Sequence, residues 1–326
     1  MRTFILTEGG KNSGFGHIAR CLAICQGFNE KDISCEMVVN GDDTINDILD
    51  GAHYTVFDWL DEKDKVLATI EDADIVIVDS YLADESFYKD IVKRAKKVVY
   101  VDDNNRIEYP KGIVLNGNIY ANGLDYMRNE NIAYLLGSRY TPLRKAFWDV
   151  PEKAIASKVE SILLTTGGKE QSDVTLNILK MLVERFPDIE KKVVVSKAFD
   201  VEKGMDKTEF IYGTDERDIL NIMLDSDIAT SAGGQTLNEL ARVGVPAIGI
   251  CFADNQRQNL AAWQEKGFIE HIGRHDDADL LEKLSKTIND LSFREKRERM
   301  SNAGRSEVNG QGAREIVTEV LKTVCV

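Results

Sequence analysis

A glycine-rich segment at residues 8–17 is the first part of the sequence whose residue types could do chemistry. It reads Glu-Gly-Gly-Lys-Asn-Ser-Gly-Phe-Gly-His, and it leaves a predicted strand and enters a predicted helix. Glycines let a ligand approach the main chain closely, and the free N–H groups at a helix start favour an anion. We therefore expect Gly14 and Gly16 to help bind a diphosphate or the sugar attached to it.

His17 ends this segment and is the candidate general base. It lies at the amino end of the predicted helix, where the macrodipole opposes protonation of the imidazole. The alternative is a capping or packed histidine, but the glycines before it, at a strand-to-helix turn, favour the base. The other histidines, which lie in unrelated contexts without metal-ligand spacing, are assigned no chemistry: His53, His271 and His275.

A second glycine pair, within residues 231–239, follows a predicted strand and opens a helix. Adjacent glycines would expose main-chain N–H groups to a diphosphate. Glu239 could accept two hydrogen bonds from the vicinal hydroxyls of a ribose, and we expect it to face solvent. The alternative is structural, namely a glycine turn followed by an acid that suits the amino end of a helix. The predicted nucleotide-diphosphate cradle consists of Gly233, Gly234, Gln235, Thr236 and Glu239.

Three further loops lie at the carboxyl ends of predicted strands. Asn255 and Gln256 could bind sugar hydroxyls or amides, although Asn255 could instead cap the next helix. Gly167 and Gly168 close the first strand of the second half, and Tyr81 follows a buried strand of the first half. Open parallel sheets bind ligands outside the carboxyl ends of their strands, and two such domains in tandem usually enclose a substrate between them. We therefore expect these loops to converge on a cleft.

Short β-branched runs alternate with helically spaced stretches almost throughout the chain. The predicted strands are RTFILT, CEMVV, YTVFDW, ADIVIVD and KKVVYVDD before Pro151, and SILLTTGG, KKVVVS, TEFIYG, DIATSAGG and PAIGICF after it. The helices predicted between them include residues 17–30, 43–50, 85–96, 172–186 and 215–224. This alternation predicts two α/β domains, 1–150 and 151–326, each a doubly wound parallel sheet. The last 50 residues are mostly charged helix and could pack on either domain.

Composition excludes several classes of protein. The chain has 326 residues, 43% of them hydrophobic, and a net charge of −14, which argues against nucleic acid or an acidic membrane as partner. It has neither a long apolar run nor an apolar leader, so we expect a cytoplasmic protein. Five cysteines without a CxxC pair make a disulfide framework or a zinc site improbable.

The sequence gives no sign of a cofactor. GxGxxG is missing, which disfavours a nicotinamide-dependent enzyme. The Asp-x-Asp pair formed by Asp225 and Asp227 precedes a predicted strand, so it should point away from the carboxyl edge. We therefore expect neither a metal nor an organic cofactor, with the diphosphate neutralised by main-chain N–H groups and helix dipoles.

Six motifs in register resemble the UDP-sugar hydrolases of pseudaminic acid biosynthesis, over residues 1 to about 272. The motifs are GFGHxxR at Gly14 to Arg20, VDSY ending at Tyr81, VDD at Val101 to Asp103, LNGNIYA at Leu115 to Ala121, Leu143-Arg144 and Asn255-Gln256. These enzymes have the two-domain GT-B architecture of the glycosyltransferase that makes lipid II. The GGxTxxE pattern from Gly233 to Glu239 is similar to that transferase's UDP site.

The resemblance implies a GT-B fold with two Rossmann-like domains facing a cleft, and metal-independent, inverting hydrolysis of UDP-2,4-diacetamido-2,4,6-trideoxy-β-L-altropyranose to UDP and the free sugar. His17 would activate water, and Tyr81 would help hold water or sugar. Further substrate contacts are expected from Arg20, Asn118, Tyr140 and Arg144. The alternatives are a GT-B glycosyltransferase with a UDP-amino-sugar donor, and a sugar-nucleotide-binding module without chemistry. We expect a monomer.

Overall fold

The chain divides into two compact units. The computed structural model describes all residues except 12–13, 47, 128, 167–171, 196–198, 200–204, 214 and 323–326. The first unit consists of Met1–Trp148 together with the chain from Gly310 onward, and the second is Asp149–Asn309. Each unit contains one parallel sheet with helices, so the predicted pair of parallel α/β domains is confirmed.

The first sheet has seven parallel strands in the order β3-β2-β1-β4-β5-β6-β7. They are β1 Thr3–Gly9, β2 Cys35–Gly41, β3 Tyr54–Val56, β4 Ala73–Asp79, β5 Ala95–Val101, β6 Gly112–Asn116 and β7 Ile132–Leu136. β1 lies centrally and is buried along its whole length. Its alternate side chains enter two different cores, since Ile5 joins one apolar cluster and Phe4 and Leu6 join the other.

Three helices of the first unit connect consecutive strands: α1 Gly16–Asn29, α2 Lys63–Thr69 and α3 Glu85–Val92. α1 packs on the face of the sheet that carries Ile5, through buried residues that include Ile18 and Phe28. α3 begins after Asp84, whose side chain accepts a hydrogen bond from the Phe87 N–H and so caps the helix.

The second sheet has six parallel strands in the order β10-β9-β8-β11-β12-β13. They are β8 Ser161–Thr165, β9 Glu190–Val194, β10 Thr208–Ile211, β11 Ile228–Ala232, β12 Ala247–Cys251 and β13 Ile269–Arg274. The helices of this unit are α4 Ser172–Arg185, α5 Glu216–Leu224, α6 Thr236–Val243, α7 Arg257–Glu265, α8 Leu280–Asp290 and α9 Arg294–Glu307. Its apolar core includes strand residues such as Ile162 and Ile248 and helix residues such as Leu182 and Leu284.

The last helix, α10 Gly312–Lys322, belongs to the first unit. Its residues Ile316, Val317 and Val320 are fully buried in the core that α1 covers. The close fit needs glycine, because a Cβ at Gly312 would lie 1.9 Å from the carbonyl oxygen of Thr141. The sequence placed 151–326 in one domain, and the structure corrects this for the segment from Gly310 onward.

Two of the predicted helices differ from the structure. Residues 43–50 have helical spacing, but the residues described there form no α-helix and include a 3-10 turn, Asp43–Ile45, capped by the side chain of Asp42. The helix predicted over 85–96 ends at Val92, because β5 already begins at Ala95. The sequence prediction also omitted β6, β7 and β13, which are short strands of five or six residues with short apolar runs. Among the residues that the structure describes, no helix has the length and apolar character needed to cross a bilayer.

We expect Ile316→Ala to lower the free energy of unfolding of the first unit by about 2–5 kcal/mol, the usual cost of truncating a buried isoleucine. Thr318 is exposed on the same helix, and Thr318→Ala is the matched control, with an expected change within about 0.5 kcal/mol. Urea unfolding followed by circular dichroism measures both. Equal, small effects of the two substitutions would contradict the packing of α10 on the first unit.

Candidate functional site

The carboxyl edge of the first sheet brings together residues from neighbouring strands. The loop after β1 leads into α1, and Asp79 is the last residue of β4, which pairs directly with β1. Asp103 lies two residues beyond β5, and Asn118 lies two residues beyond β6. β1 and β4 flank the point where the strand order reverses, which is where open α/β sheets bind ligands.

His17 is held by a buried carboxylate. Its Nδ1 lies 2.7 Å from Oδ1 of Asp79, and the side chains are 12% and 0% exposed, respectively. Burial alone would raise the pKa of Asp79, but the charge of Arg20 and the contact with His17 outweigh it and hold that pKa well below its ordinary value. An ionised Asp79 accepts a hydrogen bond from Nδ1–H, so the neutral imidazole has its lone pair on Nε2. α1 has no side-chain capping bond, so His17 does not cap it. The base and the packed histidine both stay predictions.

Arg20 joins two buried carboxylates. It lies one helical turn after His17, and its Nε and Nη2 each donate to Asp79 at 2.6 Å. Its Nη1 donates to both oxygens of Asp103 at 2.8 Å. The Arg20 Nη2 is also 3.1 Å from His17 Nδ1, since both approach the same oxygen of Asp79. The structure thus gives Arg20 a structural role, and its predicted contact with substrate stays a prediction.

The charges of this cluster fix its protonation. Burial would lower the pKa of Arg20, but the two carboxylates outweigh it and raise that pKa. Burial would likewise raise the pKa of Asp103, but Arg20 holds it below its ordinary value. Asp79 and Asp103 therefore stabilise the fold above about pH 4, near the pKa of an unfolded aspartate. That contribution is lost as the pH falls through their folded pKa values.

Tyr81 and Asn118 complete the cluster around Asp103. The Tyr81 hydroxyl donates to Oδ2 of Asp103 at 2.5 Å, and the Asn118 Nδ2 donates to Oδ1 at 2.6 Å. The Tyr81 ring also meets the His17 ring edge-on, with 4.6 Å between the ring centroids. Burial and the charge of Asp103 raise the pKa of Tyr81, so its hydroxyl stays protonated. The cluster thus contains four of the residues that the sequence singled out.

Asp79 and Asp103 are the residues that the sequence analysis missed as members of the site. Both appeared only inside motifs, yet they carry the contacts of His17, Arg20 and Tyr81. The sequence contains a pattern that could have identified both aspartates, because each follows a buried apolar run and lies at or just beyond the end of a strand. A carboxylate in that position is expensive to bury unless a cation or donor meets it.

Two glycines of the segment, Gly14 and Gly16, have open space beside them. The main chains of Gly10 and Gly14 form two hydrogen bonds with each other, with N···O distances of 2.8 and 3.1 Å. Gly14 has a φ of +79°, which favours glycine. A Cβ added at Gly14 or Gly16 would meet no atom within 4 Å. Phe15, at the start of α1, makes no side-chain capping bond. Binding of an anion by the N–H groups of this helix start stays a prediction.

Tyr140 and Arg144 follow β7 in the first unit. The carbonyl oxygen of Tyr140 lies against Gly117, where a Cβ would come within 2.4 Å of it, so Tyr140 is next to the Asn118 loop. The Arg144 guanidinium lies 5.6 Å from the centre of the Phe147 ring. The binding roles of both side chains stay predictions.

The glycine pair of the second unit lies where β11 turns into α6. Gly233 is tightly enclosed, because a Cβ there would come within 2.6 Å of the Leu260 side chain. Its N–H donates to Oε1 of Gln256 at 3.3 Å, and its carbonyl accepts from Asn259 at 3.0 Å. A Cβ at Gly234 would meet nothing within 4 Å, so that glycine leaves the main chain accessible.

Glu239 is more buried than the sequence predicted. It is 5% exposed, in the first turns of α6, so the expectation of a solvent-facing carboxylate was wrong. The apolar neighbours Leu237 and Leu240, both fully buried, draw this part of the helix into the core. Gln235 accepts a hydrogen bond from Asn238 at 3.1 Å, and Thr236 begins α6. Gly167 and Gly168 lie outside the described residues.

Asn255 and Gln256 form a 3-10 turn before α7, together with Asp254. Asn255 is exposed and does not cap the turn or the helix by its side chain, so that alternative is wrong. Oε1 of Gln256 also accepts from the Phe252 N–H at 3.0 Å. Gln256 therefore ties the loops after β11 and β12 together, and its predicted contact with sugar stays untested by the structure.

Asp227 faces the amino edge of the second sheet, as its place before a strand predicts. Its Oδ2 accepts from the Glu160 and Ser161 N–H groups at 2.8 and 3.0 Å. Within the described part of the chain, no group of three or more His, Cys, Asp and Glu side chains could hold a metal ion.

The chain is similar in sequence to several known proteins. A UDP-2,4-diacetamido-2,4,6-trideoxy-β-L-altropyranose hydrolase of Campylobacter jejuni is 21% identical, over 82% of this chain and 98% of its own length. A Helicobacter pylori protein, named as pseudaminic acid cytidylyltransferase and the same hydrolase, is 22% identical over 77% of this chain. The predicted resemblance to these hydrolases is confirmed. No protein-family model matches the chain.

A third relative is the spore coat polysaccharide biosynthesis protein SpsG of Bacillus subtilis, 23% identical over 96% of this chain and 95% of its own length. The share of a relative's own length that matches this chain differs between the relatives, however. The chain spans about half the length of two of the relatives it matches, 57% of one and 44% of the Helicobacter pylori protein.

Solved structures share the fold over the whole chain. Acinetobacter baumannii MurG has a TM-score of 0.62 at 13% identity, covering 98% of this chain and 99% of its own. S. aureus MnaA, in a structure with UDP, has a TM-score of 0.66 at 14% identity, covering 100% of this chain and 97% of its own. At such low identity the likeness concerns the fold alone, and it confirms the predicted GT-B architecture.

We expect Arg20→Met to destabilise the first unit by about 3–5 kcal/mol at pH 7, because Asp79 and Asp103 would stay buried without their cation. Arg185→Met, which breaks a surface ion pair with Glu282, is the control and should change stability little. Denaturant unfolding measures both. An unchanged stability of Arg20→Met, together with weaker substrate binding, would show that Arg20 serves the ligand instead.

Proposed function

We propose that the protein hydrolyses UDP-2,4-diacetamido-2,4,6-trideoxy-β-L-altropyranose to UDP and the free sugar, with inversion at the anomeric carbon. The observation that carries this proposal is the contact of His17 Nδ1 with Asp79, which leaves Nε2 as a proton acceptor at the glycine-lined start of α1. The printed names of two relatives and the motifs shared with that family support the choice of sugar.

The reaction needs only one base and a good leaving group. Nε2 of His17 takes a proton from water while the water oxygen bonds to the anomeric carbon. The bond from that carbon to the β-phosphate oxygen breaks, and its electron pair stays on the phosphate. Asp79 stabilises the imidazolium that forms, as a buried carboxylate does beside a catalytic histidine. No covalent sugar-enzyme intermediate is required.

The second unit would bind the nucleotide. The open main chain at Gly234 and the first turn of α6 would supply N–H groups and a helix dipole to the diphosphate. Glu239, at the same helix start, would accept the ribose hydroxyls. Because these contacts neutralise the diphosphate without a metal ion, UDP release should continue in excess EDTA.

The first experiment is incubation of the protein with the UDP-sugar alone. Release of UDP supports the hydrolase. Release that depends on an added acceptor would identify a glycosyltransferase, and binding without turnover would identify a sugar-nucleotide-binding module. Loss of UDP release in EDTA, restored by Mg²⁺ or Mn²⁺, would contradict the metal-free cradle.

His17→Asn should lower turnover by roughly a hundredfold or more while leaving the dissociation constant of UDP nearly unchanged, because it removes the base but not the nucleotide site. His53, which is exposed beside the edge strand β3, provides the control, and His53→Asn should retain full turnover. Steady-state UDP release and calorimetric titration with UDP measure the two quantities. Equal losses in both would make His17 a ligand-positioning residue.

Glu239→Ala should weaken UDP binding by about 1.5–3 kcal/mol, the range for a hydrogen bond to a charged group. Because Glu239 is buried, we also expect a loss of stability, which the sequence alone did not predict. The titration with UDP is therefore done well below the midpoint temperature of unfolding of the variant. Glu282→Ala, on the exposed face of α8, is the control and should bind UDP normally. An unchanged UDP affinity of Glu239→Ala would refute the ribose contact.

A further inference from the structure

Glu8 is a buried carboxylate that the proposed reaction does not use. It is the last but one residue of β1 and is 7% exposed. Its Oε1 accepts the N–H of Tyr81 at 2.9 Å, and its Oε2 accepts the hydroxyl of Ser80 at 2.7 Å. The end of β1 is thereby tied to the turn that follows β4.

The hydrogen bonds of Ser80 show that the side chain at position 8 must be a hydrogen-bond acceptor at both of its terminal atoms. A hydroxyl has one hydrogen and two lone pairs. The Ser80 Oγ accepts from the N–H groups of Leu82 and Ala83, both at 3.0 Å, so its hydrogen is left for Glu8. Both oxygens of Glu8 must therefore act as acceptors. A carboxylate satisfies this requirement, whereas a glutamine amide would turn an N–H donor toward the Ser80 hydroxyl or the Tyr81 N–H.

The turn that Glu8 holds carries Tyr81, whose ring contacts His17 and whose hydroxyl bonds to Asp103. A shift of the Tyr81 main chain would move both contacts together, since the side chain has only two rotatable bonds with which to compensate. Small displacements of positioning groups can lower rates by orders of magnitude.

The geometry points to Glu8 as a positioning residue that sets the place of Tyr81, and through it the His17 imidazole, by holding the Ser80–Tyr81 turn. This inference rests on the proposed function for its kinetic consequence only. The structural consequence, a displaced Tyr81, holds whatever the chain catalyses.

The first test is kinetic. Glu8→Gln should lower kcat for UDP release by about tenfold or more, with the dissociation constant of UDP unchanged. In a Tyr81→Ala background the same substitution should change kcat less than about twofold, because the side chain through which Glu8 acts is gone. An equal loss in both backgrounds would overturn the inference.

The second test does not depend on activity. The protein is labelled with 3-fluorotyrosine, and the ¹⁹F signal of Tyr81 is assigned as the one missing from Tyr81→Phe. Glu8→Gln should shift or broaden this signal. An unchanged signal overturns the positioning role, even if the wild-type protein releases UDP. If the signal shifts but the wild-type protein releases no UDP, the positioning role holds and the proposed function is refuted.

Asp227 provides a matched control in the second unit. Like Glu8, it accepts a main-chain N–H and a serine hydroxyl, here from Ser161 at 3.0 and 3.1 Å. Asp227→Asn should reduce stability while leaving kcat and the Tyr81 signal unchanged. A comparable loss of kcat in Asp227→Asn would show that Glu8→Gln acts through general destabilisation.

If Glu8→Gln does not fold at the assay temperature, Ser80→Ala replaces it. This variant removes the hydroxyl that Glu8 holds but leaves the bond from Glu8 to the Tyr81 N–H. The Tyr81 signal should then shift measurably, but by less than it would if the whole turn were lost. An unchanged Tyr81 signal in a folded Ser80→Ala protein would overturn the inference.

Discussion

The guanidinium of Arg20 lies between two buried aspartates and is the cation that both of them contact. Asp79 and Asp103 end or follow adjacent parallel strands, so their carboxylates approach each other at the sheet edge. Without a cation their repulsion and desolvation would favour protonation. With Arg20 in place both stay ionised, and each is then free to orient a further group: Asp79 holds the His17 imidazole, and Asp103 holds the Tyr81 hydroxyl and the Asn118 amide.

This arrangement also leaves one negative charge in excess, since two carboxylates face one guanidinium. A histidine that takes up a proton beside such a cluster gains an electrostatic partner at no cost in reorganisation, because the carboxylate is already in contact with Nδ1. The glycine segment and the start of α1 supply the opposite sign of field, which suits an anionic leaving group. One strand-to-helix turn thus separates a region that stabilises positive charge from a region that stabilises negative charge.

The sequence predicted much of this fold, because strand and helix patterns are local. The two parallel sheets, the loop that carries His17 and the Gly233–Gly234 turn were all visible as runs and spacings. The partners of His17 were not, because Asp79 lies 62 residues away in the chain and Asp103 contacts Arg20 across 83. The burial of Glu239 was likewise set by tertiary packing. The helix predicted over 43–50 was an error of the opposite kind. The local spacing there is helical, but the chain forms a 3-10 turn that the Asp42 side chain caps.

The return of α10 to the first unit makes the second unit an insertion within the first. Residues 149–309 are all synthesised before Gly310, whereas the first unit lacks the buried side chains Ile316, Val317 and Val320 until α10 has been translated. Domains generally fold as units during synthesis. All residues of the unit made second are therefore available for folding before the unit that carries His17 has all the side chains of its core. A chain that stops before α10 would leave the core beside α1 without three of its buried apolar side chains.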